Sequence, residues 1–383
     1  MESQRLGFRL PWGTILLFAA LVGCGLLGIS RSEELAGGSG RLLRVQFAWG
    51  LVAGVGAALA TAPNYRRVLR LTYPIFFLSL VSLGVVYLFP AINGARRWIR
   101  LGPLGFQPSE FAKLAFVLAM SRYLMFRENY RKLSGLIAPL ILALAPSLLI
   151  LREPDLGTAL LFFPLLLAML AIAGARRRDL VLMVAACVLV APVLWSQMSR
   201  EQRSRVTAVW NQAEPGRIVQ GDGYHLAKAK QLLVLGGVWG SAIEGETAFD
   251  QGVYHIPEGA TDSIFVVIAE RYGLFGATIL LLLYALLIWQ AVAIAEATRE
   301  PFGRLVAGGI GALFAIQVLI NAGMMVGLLP ITGLSLPLVS YGGSGLLAHG
   351  LAIGLLLNIG LRPGYEVGRE PFRFPTAPVR RAA

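Results

Sequence analysis

The sequence is poor in charged residues, which make up 14% of its 383 positions, whereas apolar residues make up 56%. Soluble domains carry about 25% charged residues, so this composition excludes a soluble globular protein. Cysteine is also scarce: Cys24 and Cys187 both lie inside apolar runs, which excludes a disulfide framework. The three histidines, His225, His255 and His349, show no metal-ligand spacing, and we expect no metal site built from them. The composition indicates an integral membrane protein.

Acidic residues are fewer than basic ones, and the formal net charge is +13. A basic chain can bind nucleic acid, but here the basic residues are scattered through short gaps between apolar runs, without interleaved aromatic residues. We therefore expect no nucleic-acid partner. Orientation in a membrane explains the basic residues instead, because short cytoplasmic loops of membrane proteins are enriched in lysine and arginine.

Long apolar runs are abundant, and about 17 to 25 apolar residues are sufficient to cross a hydrocarbon core as a helix. We expect an all-α membrane protein, a bundle of ten transmembrane helices that forms one polytopic domain over 1–383. A large extracytoplasmic loop over 199–262 separates the seventh span from the eighth, and a tail follows over 362–383. The ten predicted spans are 12–30, 44–61, 73–91, 110–126, 135–151, 156–174, 180–198, 263–295, 305–329 and 344–361.

The distribution of basic residues predicts the orientation of these spans. With the N-terminus inside, the cytoplasmic segments contain 18 basic residues, whereas the short outside loops contain seven. This asymmetry predicts that both termini, and the tail over 362–383, are cytoplasmic. The loop over 199–262 and Asp262 at its end then lie outside.

Two ionisable residues begin the fourth span. In "QPSEFAK", Glu110 and Lys113 are three positions apart and share one helix face, with Ser109 as a candidate N-cap. Ionisable groups at membrane depth are costly and usually mark a site, so the pair predicts a charged wall of a substrate cavity. The alternative is that Glu110 complements the helix dipole while Lys113 reaches the membrane surface.

Further polar residues lie beside other spans. In "REPDLGTAL", Asp155 and Gly157 are adequately explained as residues of a turn. Glycine, proline and serine interrupt the apolar run over 321–345, and irregular backbone at such depth is tolerated where it is buried in protein or lines a cavity. In "PEGATDSIF", Asp262 precedes the eighth span, either as the N-cap of a helix starting at Ser263 or as a reactive carboxylate, and the two roles are compatible.

Four motifs together resemble the SEDS family (shape, elongation, division, sporulation). They are "NGARRWIRLGPLGFQPSEFAKLA" at 93–115, "EPDLGTAL" at 153–160, "PEGATDSIF" at 257–265 and "GMMVGLLPITGLSLPLVSYGGSG" at 323–345. The resemblance covers nearly the whole chain. It implies a bacterial cytoplasmic membrane protein that polymerises lipid II, an undecaprenyl pyrophosphate-linked disaccharide peptide, into β-1,4 glycan strands. It also implies a class B penicillin-binding protein as transpeptidase partner, and the short tails favour the elongation machinery and its RodA branch.

The resemblance assigns roles to particular residues. Asp262 corresponds to the catalytic aspartate of the family, and Glu110 and Lys113 to its cavity-lining pair. The sequence departs from the family pattern where Ser263 replaces the usual phenylalanine and where Glu270 and Arg271 replace a typical Glu-Glu pair.

The implied reaction makes two demands on the protein. A base must take the proton of the acceptor hydroxyl, for which Asp262 is the candidate, and positive charge must stabilise the departing pyrophosphate. One base and an α-linked donor predict inversion by single displacement. Lipid-facing grooves of the bundle would hold the polyprenyl chains, and membrane lipids are expected as partners of the protein. The candidate cations are Arg96, Arg97, Arg100 and Lys113, and Arg97 is expected to bind substrate together with Glu110 and Lys113. A divalent cation, Mg²⁺ or Mn²⁺, is the alternative, although no ligand cluster identifies one.

Two other functions stay open. Ten spans, proline-containing helices and charges at membrane depth also suit a flippase for lipid-linked precursors. The third possibility is a scaffold for the transpeptidase without activity of its own. Polymerisation of labelled lipid II, with and without Asp262, separates the three.

Overall fold

The computed structural model describes residues 12–63, 65–91, 95–101, 104–126, 133–209, 222–245, 254 and 256–362. The long helices in these ranges are α1 (Trp12–Leu35), α2 (Arg41–Thr61), α3 (Tyr65–Val85), α4 (Pro108–Leu124), α5 (Ile137–Arg152), α6 (Leu156–Ala173), α7 (Arg177–Gln197), α11 (Ile264–Ala297), α12 (Pro301–Met325) and α13 (Gly343–Leu361). Each of the predicted spans overlaps one of them. His255 and the predicted tail beyond Arg362 lie outside the described residues.

Eight of these helices are long and apolar enough to cross a membrane: α1, α2, α3 with its continuation to Leu88, α6, α7, α11, α12 and α13. The multi-pass membrane character predicted from composition is therefore confirmed. α4 and α5 are shorter, at 17 and 16 residues. Length and composition therefore identify eight crossings, and a total of ten is part of the proposed topology.

The expectation of a purely helical chain misses a small hairpin between α3 and α4. Strand β1 (Ile99–Leu101) pairs antiparallel with β2 (Leu104–Phe106), and Arg100 lies opposite Gly105. The backbone N–H and C=O groups of these two short strands form hydrogen bonds with each other across the hairpin. The hairpin leads directly into α4.

The predicted loop over 199–262 contains helices in its described parts. They are α8 (Arg200–Thr207), α9 (Asp222–Gly236) and α10 (Ser241–Glu244). The end of α9 packs on a kink of α11 at Gly273, where φ is 65°. The kink frees backbone amides, and Leu274 N donates to the carbonyl of Gly237 at 3.0 Å. The loop is thus held against the membrane bundle.

The glycines four positions apart in "GLVAG" at 50–54 and in "GLAIG" at 350–354 predict close packing of helices, and the two pairs behave differently from each other. In α13, a Cβ at Gly354 would lie 2.2 Å from the carbonyl oxygen of Ala57, and one at Gly350 would lie 2.6 Å from that of Ala53, both in α2. These glycines therefore permit close contact between the two helices, as expected. The prediction is wrong for Gly54, which faces open space.

An ion pair joins the last turns of α1 to the first turns of α11. Arg31 Nε and Nη2 donate to the two carboxylate oxygens of Glu270 at 3.1 and 2.9 Å, and both side chains are buried. Arg31, which the predicted topology puts in an outside loop, belongs to α1 because that helix extends to Leu35. Glu270, the first residue of the Glu270-Arg271 pair that departs from the family pattern, thus has a structural role in this chain.

Candidate active site

A cavity of about 580 Å³ opens between helix ends at one side of the bundle. Three of the residues predicted for the site line it: Asp262, Glu110 and Arg97. The wall also includes residues from 331–346, from α8 and from α9. Segments far apart in the sequence, including all four motifs, therefore meet around one space.

The turn that carries Asp262 is fixed through its main chain. Three consecutive carbonyls accept hydrogen bonds from three different donors, which belong to α12 and to the irregular segment before α13. The donors are Tyr341 N to Ala260 O at 2.8 Å, Ser340 Oγ to Thr261 O at 2.6 Å and Asn321 Nδ2 to Asp262 O at 2.9 Å. Asp262 can therefore keep its position without using its carboxylate to hold the fold.

The structure contradicts the proposed capping role of Asp262. Helix α11 begins at Ile264, and its N-cap position is occupied by Ser263, whose side chain makes no capping bond. Within the described residues, the Asp262 carboxylate has no hydrogen-bond or ion-pair partner, and it faces the cavity. Ser109 is not an N-cap either, because α4 begins one residue earlier at Pro108, a residue favoured in the first helical position.

The surroundings of Asp262 make its carboxylate more basic than usual. Burial, followed by the nearby carboxylates of Glu258 and Asp155, raises the pKa of Asp262 to about 7, while Arg97 and Arg205 oppose the shift. Burial and neighbouring negative charge both disfavour the ionised form. A carboxylate with this pKa combines substantial ionisation at neutral pH with the basicity needed to accept a proton.

Asp155 also lines the cavity, although the sequence indicated only a turn. Its carboxylate caps α6, accepting from Thr158 N at 3.2 Å and from Thr158 Oγ1 at 3.0 Å, and lies 3.8 Å from Arg97 Nη1. Arg97 in turn donates to the carbonyls of Glu153 at 3.2 Å and Pro154 at 2.5 Å. An aspartate three positions before a threonine, as in "DLGT", is a typical helix N-cap pattern, and it predicts the hydrogen bond from Thr158 N to the Asp155 carboxylate.

Glu110 and Lys113 form a buried ion pair at the cavity wall. Lys113 Nζ lies 2.8 Å from Glu110 Oε1, and the side chains of Lys113 and Glu110 are 1% and 6% exposed. Lys113 therefore does not extend to the membrane surface, and of the two predicted wall residues Glu110 lines the described cavity while Lys113 lies behind it. His349, a cavity residue that the sequence analysis did not select, has Nε2 4.0 Å from Glu110 Oε2 and 3.2 Å from Gln317 Oε1.

Of the basic residues predicted to stabilise the leaving group, one is found in the lining of the described cavity. Of the four candidates, only Arg97 lines the described cavity; Arg96 donates to the carbonyl of Tyr87 at 2.9 Å, and Lys113 is engaged by Glu110. Arg205 of α8 was not selected, yet it lines the cavity and lies close enough to Asp262 to lower its pKa. It comes from a polar helix in the long loop, where no sequence signal separates it from neighbouring arginines.

The carboxylates of Asp155 and Asp262 both line the cavity, where they could attract a cation. Within the part of the chain that the structure describes, no three histidine, cysteine, aspartate or glutamate side chains come together as a ligand set. The residues present therefore do not form a closed site for Mg²⁺ or Mn²⁺, and no reaction step is assigned to a metal below.

Gly333 provides a prediction about the space beside Asp262. It adopts a φ of +69°, and a Cβ at this position would lie 3.2 Å from Asp262 Oδ2. Gly333→Ala is expected to lower the rate of the reaction at least tenfold, while the left-handed backbone costs about 1 to 2 kcal/mol of stability. The measurement is activity per folded molecule together with thermal unfolding. Gly54→Ala, in open space, is the control; equal activity of the two variants would contradict the prediction.

Comparisons of sequence identify relatives along the whole chain. A family model for cell cycle proteins of the FtsW, RodA and SpoVE type matches residues 10–362. A probable peptidoglycan glycosyltransferase FtsW from Trichlorobacter lovleyi is 34% identical over 97% of this chain and 99% of its own length. The peptidoglycan glycosyltransferase MrdB of Escherichia coli K12 is 36% identical over 91% of this chain and 92% of its own.

Solved structures share the fold. A chain from work on the structural coordination of polymerization and crosslinking by a peptidoglycan synthase complex is similar with a TM-score of 0.78 and 32% identity, over 93% of this chain and 98% of that chain. The crystal structure of the rod shape determining protein RodA of Thermus thermophilus gives a TM-score of 0.67 and 29% identity, over 94% of this chain and 99% of that one.

Proposed function

Because the chain belongs to the FtsW/RodA/SpoVE family of cell cycle proteins, as its four motifs indicated, we propose that it is a peptidoglycan glycosyltransferase that polymerises lipid II. The observation that carries the proposal is the position of Asp262, whose carboxylate has no partner among the described residues, faces the cavity and has its pKa raised to about 7. Relatives named as peptidoglycan glycosyltransferases support the same activity.

The proposed reaction is a single displacement. The 4-hydroxyl of the acceptor sugar attacks the anomeric carbon of the donor, its proton passes to Asp262, and the bond to the lipid pyrophosphate breaks. With an α-linked donor this step inverts the configuration and gives a β-1,4 link. Arg97 and Arg205 would stabilise the negative charge of the leaving pyrophosphate, and their position in the lining of the same cavity supports this role. Glu110 and Lys113 would shape the wall against which the sugars bind.

The proposed topology has ten crossings, with both termini in the cytoplasm and the loop over 199–262 outside. The excess of basic residues in the cytoplasmic segments supports this orientation. The cavity then faces the outer leaflet, where lipid-linked sugars are presented, and membrane lipids surround the apolar helices. Labelling of single cysteines from each side of intact cells tests this arrangement.

We propose a role in elongation, with a class B penicillin-binding protein as transpeptidase partner. Similarity to a protein named for rod shape determination supports the role, and similarity to a chain from a peptidoglycan synthase complex supports the partner. Depletion in a rod-shaped cell tests the role: rounding of the cells would support elongation, whereas filamentous growth without division would contradict it.

The decisive experiment uses the full chain in lipid vesicles with labelled lipid II. Polymer that a muramidase digests, and that is absent with Asp262→Ala, supports the enzyme; Glu244→Gln, at an exposed position of α10, is the control. Movement of lipid II between leaflets without polymer would favour the flippase. If polymer forms only when a transpeptidase is added and survives in Asp262→Ala, the scaffold role is supported. Removing and restoring Mg²⁺ or Mn²⁺ in the same assay tests the proposed alternative of a divalent cation.

The pKa of Asp262 predicts the pH dependence of the reaction. The base acts as a carboxylate, so the rate should fall about tenfold per pH unit below about 6 and level off above about 8. Glu258→Gln removes a negative charge that raises this pKa, so the acid limb should move to lower pH. Arg97→Gln should move it to higher pH. The measurement is kcat/KM between pH 5 and 9; an unchanged limb in both variants would show that another group titrates.

A further inference from the structure

Ser263, which stands where the family usually has phenylalanine, makes contacts that a phenylalanine cannot make. Its side chain is fully buried, and its hydroxyl donates to the carbonyl oxygen of Pro257 at 3.1 Å. The same hydroxyl lies 3.1 Å from Nε2 of His225, and that nitrogen lies 3.2 Å from the Pro257 carbonyl. Three polar atoms thus meet at one point behind the turn that carries Asp262.

The chemistry of these atoms fixes their roles. With a proton on Nε2, His225 donates towards the Pro257 carbonyl and the serine oxygen, while the serine hydroxyl donates to the same carbonyl. One carbonyl oxygen has two lone pairs and can accept both bonds. The other neutral tautomer would place a bare nitrogen beside the carbonyl oxygen and lose one bond. These hydrogen bonds therefore connect His225 of α9 to Pro257, at the start of the turn, and to Ser263, at its end.

This contact complements the anchoring of the turn on its other side. The carbonyls of residues 260–262 are bonded to α12 and to the segment before α13, whereas Ser263 and Pro257 are bonded to α9. Asp262 lies between the two attachments. His225 and Pro257 also line the cavity that Asp262 faces. A shift of α9 would consequently move the turn relative to the far wall of the cavity.

We infer that His225 and Ser263 act as a pair of positioning residues for Asp262. The inference rests on the proposed glycosyltransferase function. Neither residue takes a proton from the substrate. The pair keeps the carboxylate at the distance from the acceptor hydroxyl that proton transfer requires, and small displacements of reacting groups have large effects on rate.

The test is a double-mutant cycle on the polymerisation of labelled lipid II by the full chain in vesicles. Ser263→Ala and His225→Ala are each expected to lower kcat per folded molecule about 5- to 30-fold, with KM changed less than about twofold. Because both act through one contact, the double variant should lose no more than the more affected single variant. His225→Gln, which can still donate a hydrogen bond, should keep at least half of the wild-type kcat.

The controls separate positioning from general destabilisation. Val234→Ala changes an exposed residue of the same helix and should leave kcat unchanged. Additive losses in the double variant, losses confined to KM, or losses that only follow the folded fraction would each overturn the inference. If Ser263→Ala does not fold, comparison of His225→Gln with His225→Ala still decides it, because equal losses would contradict the pair. Wild-type protein that makes no polymer would instead contradict the proposed function.

Discussion

Asp262→Asn is expected to lower kcat for polymerisation of lipid II by about 10²- to 10⁴-fold, the contribution usual for a positioned general base. Asparagine has nearly the shape of aspartate, but its amide cannot accept the hydroxyl proton. The main-chain bonds from Asn321, Ser340 and Tyr341 to the turn do not involve the Asp262 side chain, so the turn should stay in place. The measurement is single-turnover and steady-state formation of glycan, with binding of lipid II measured in parallel.

Measuring the thermal stability of Asp262→Asn excludes unfolding as the cause of its lost activity. Removing a buried carboxylate that lies near Glu258 and Asp155 also removes repulsion, so Asp262→Asn should unfold at the same temperature as the wild type or slightly above it. Binding of lipid II should change little. If Asp262→Asn retained more than about a tenth of the wild-type kcat, Asp262 would not be the base, and Asp155 would become the next carboxylate to test.

The second large effect is expected from Lys113→Met, which keeps the length of the side chain and removes its charge. Glu110 would then be left buried without its ion-pair partner. Breaking a buried pair in this way costs about 3 to 5 kcal/mol. Glu110 lies in the first turn of α4, where the helix dipole favours a negative charge and reduces this cost somewhat. Thermal unfolding in detergent should therefore show a clear drop in Tm, and polymerisation should fall with it.

The matched control is Glu110→Gln combined with Lys113→Met. The double variant removes both charges and should recover most of the lost stability, because no unpaired charge stays buried. It should remain poor in polymerisation if the pair forms the wall against which substrate binds. Recovery of activity together with stability would show that the pair serves only the fold.

The sequence was sufficient to predict most of the bundle and part of the site. Apolar runs alone located the long apolar helices of the described residues, because a hydrocarbon core sets both their length and their composition. Asp262, Glu110 and Arg97 could be selected because polar residues beside apolar runs are conspicuous, and the four motifs supported the selection. Helix ends were less accurate: α1 continues to Leu35 because Arg31 finds Glu270 inside the protein.

The remaining site residues depend on contacts between distant segments. Asp155 had an adequate local explanation as a turn residue, and only the folded chain brings it to the cavity near Asp262. Arg205 has several arginine neighbours in the sequence, and nothing local shows which of them faces the cavity. The capping role given to Asp262 was wrong because helix α11 begins one residue later than the pattern suggested. Ser263, puzzling in sequence, is explained only by His225, which lies 38 positions earlier.

The ion pair between Arg31 and Glu270 also has a consequence for how the protein is assembled. The two residues are 239 positions apart, so α1 enters the membrane long before its acidic partner is synthesised. Until then Arg31 can pair with the exposed Glu34 of its own helix, 3.3 Å away, but burying the arginine against the bundle without Glu270 would carry a large cost. The pair therefore cannot close before α11 has been synthesised. A nascent chain that stops before α11 should carry an unattached first helix, which quality-control proteases can recognise.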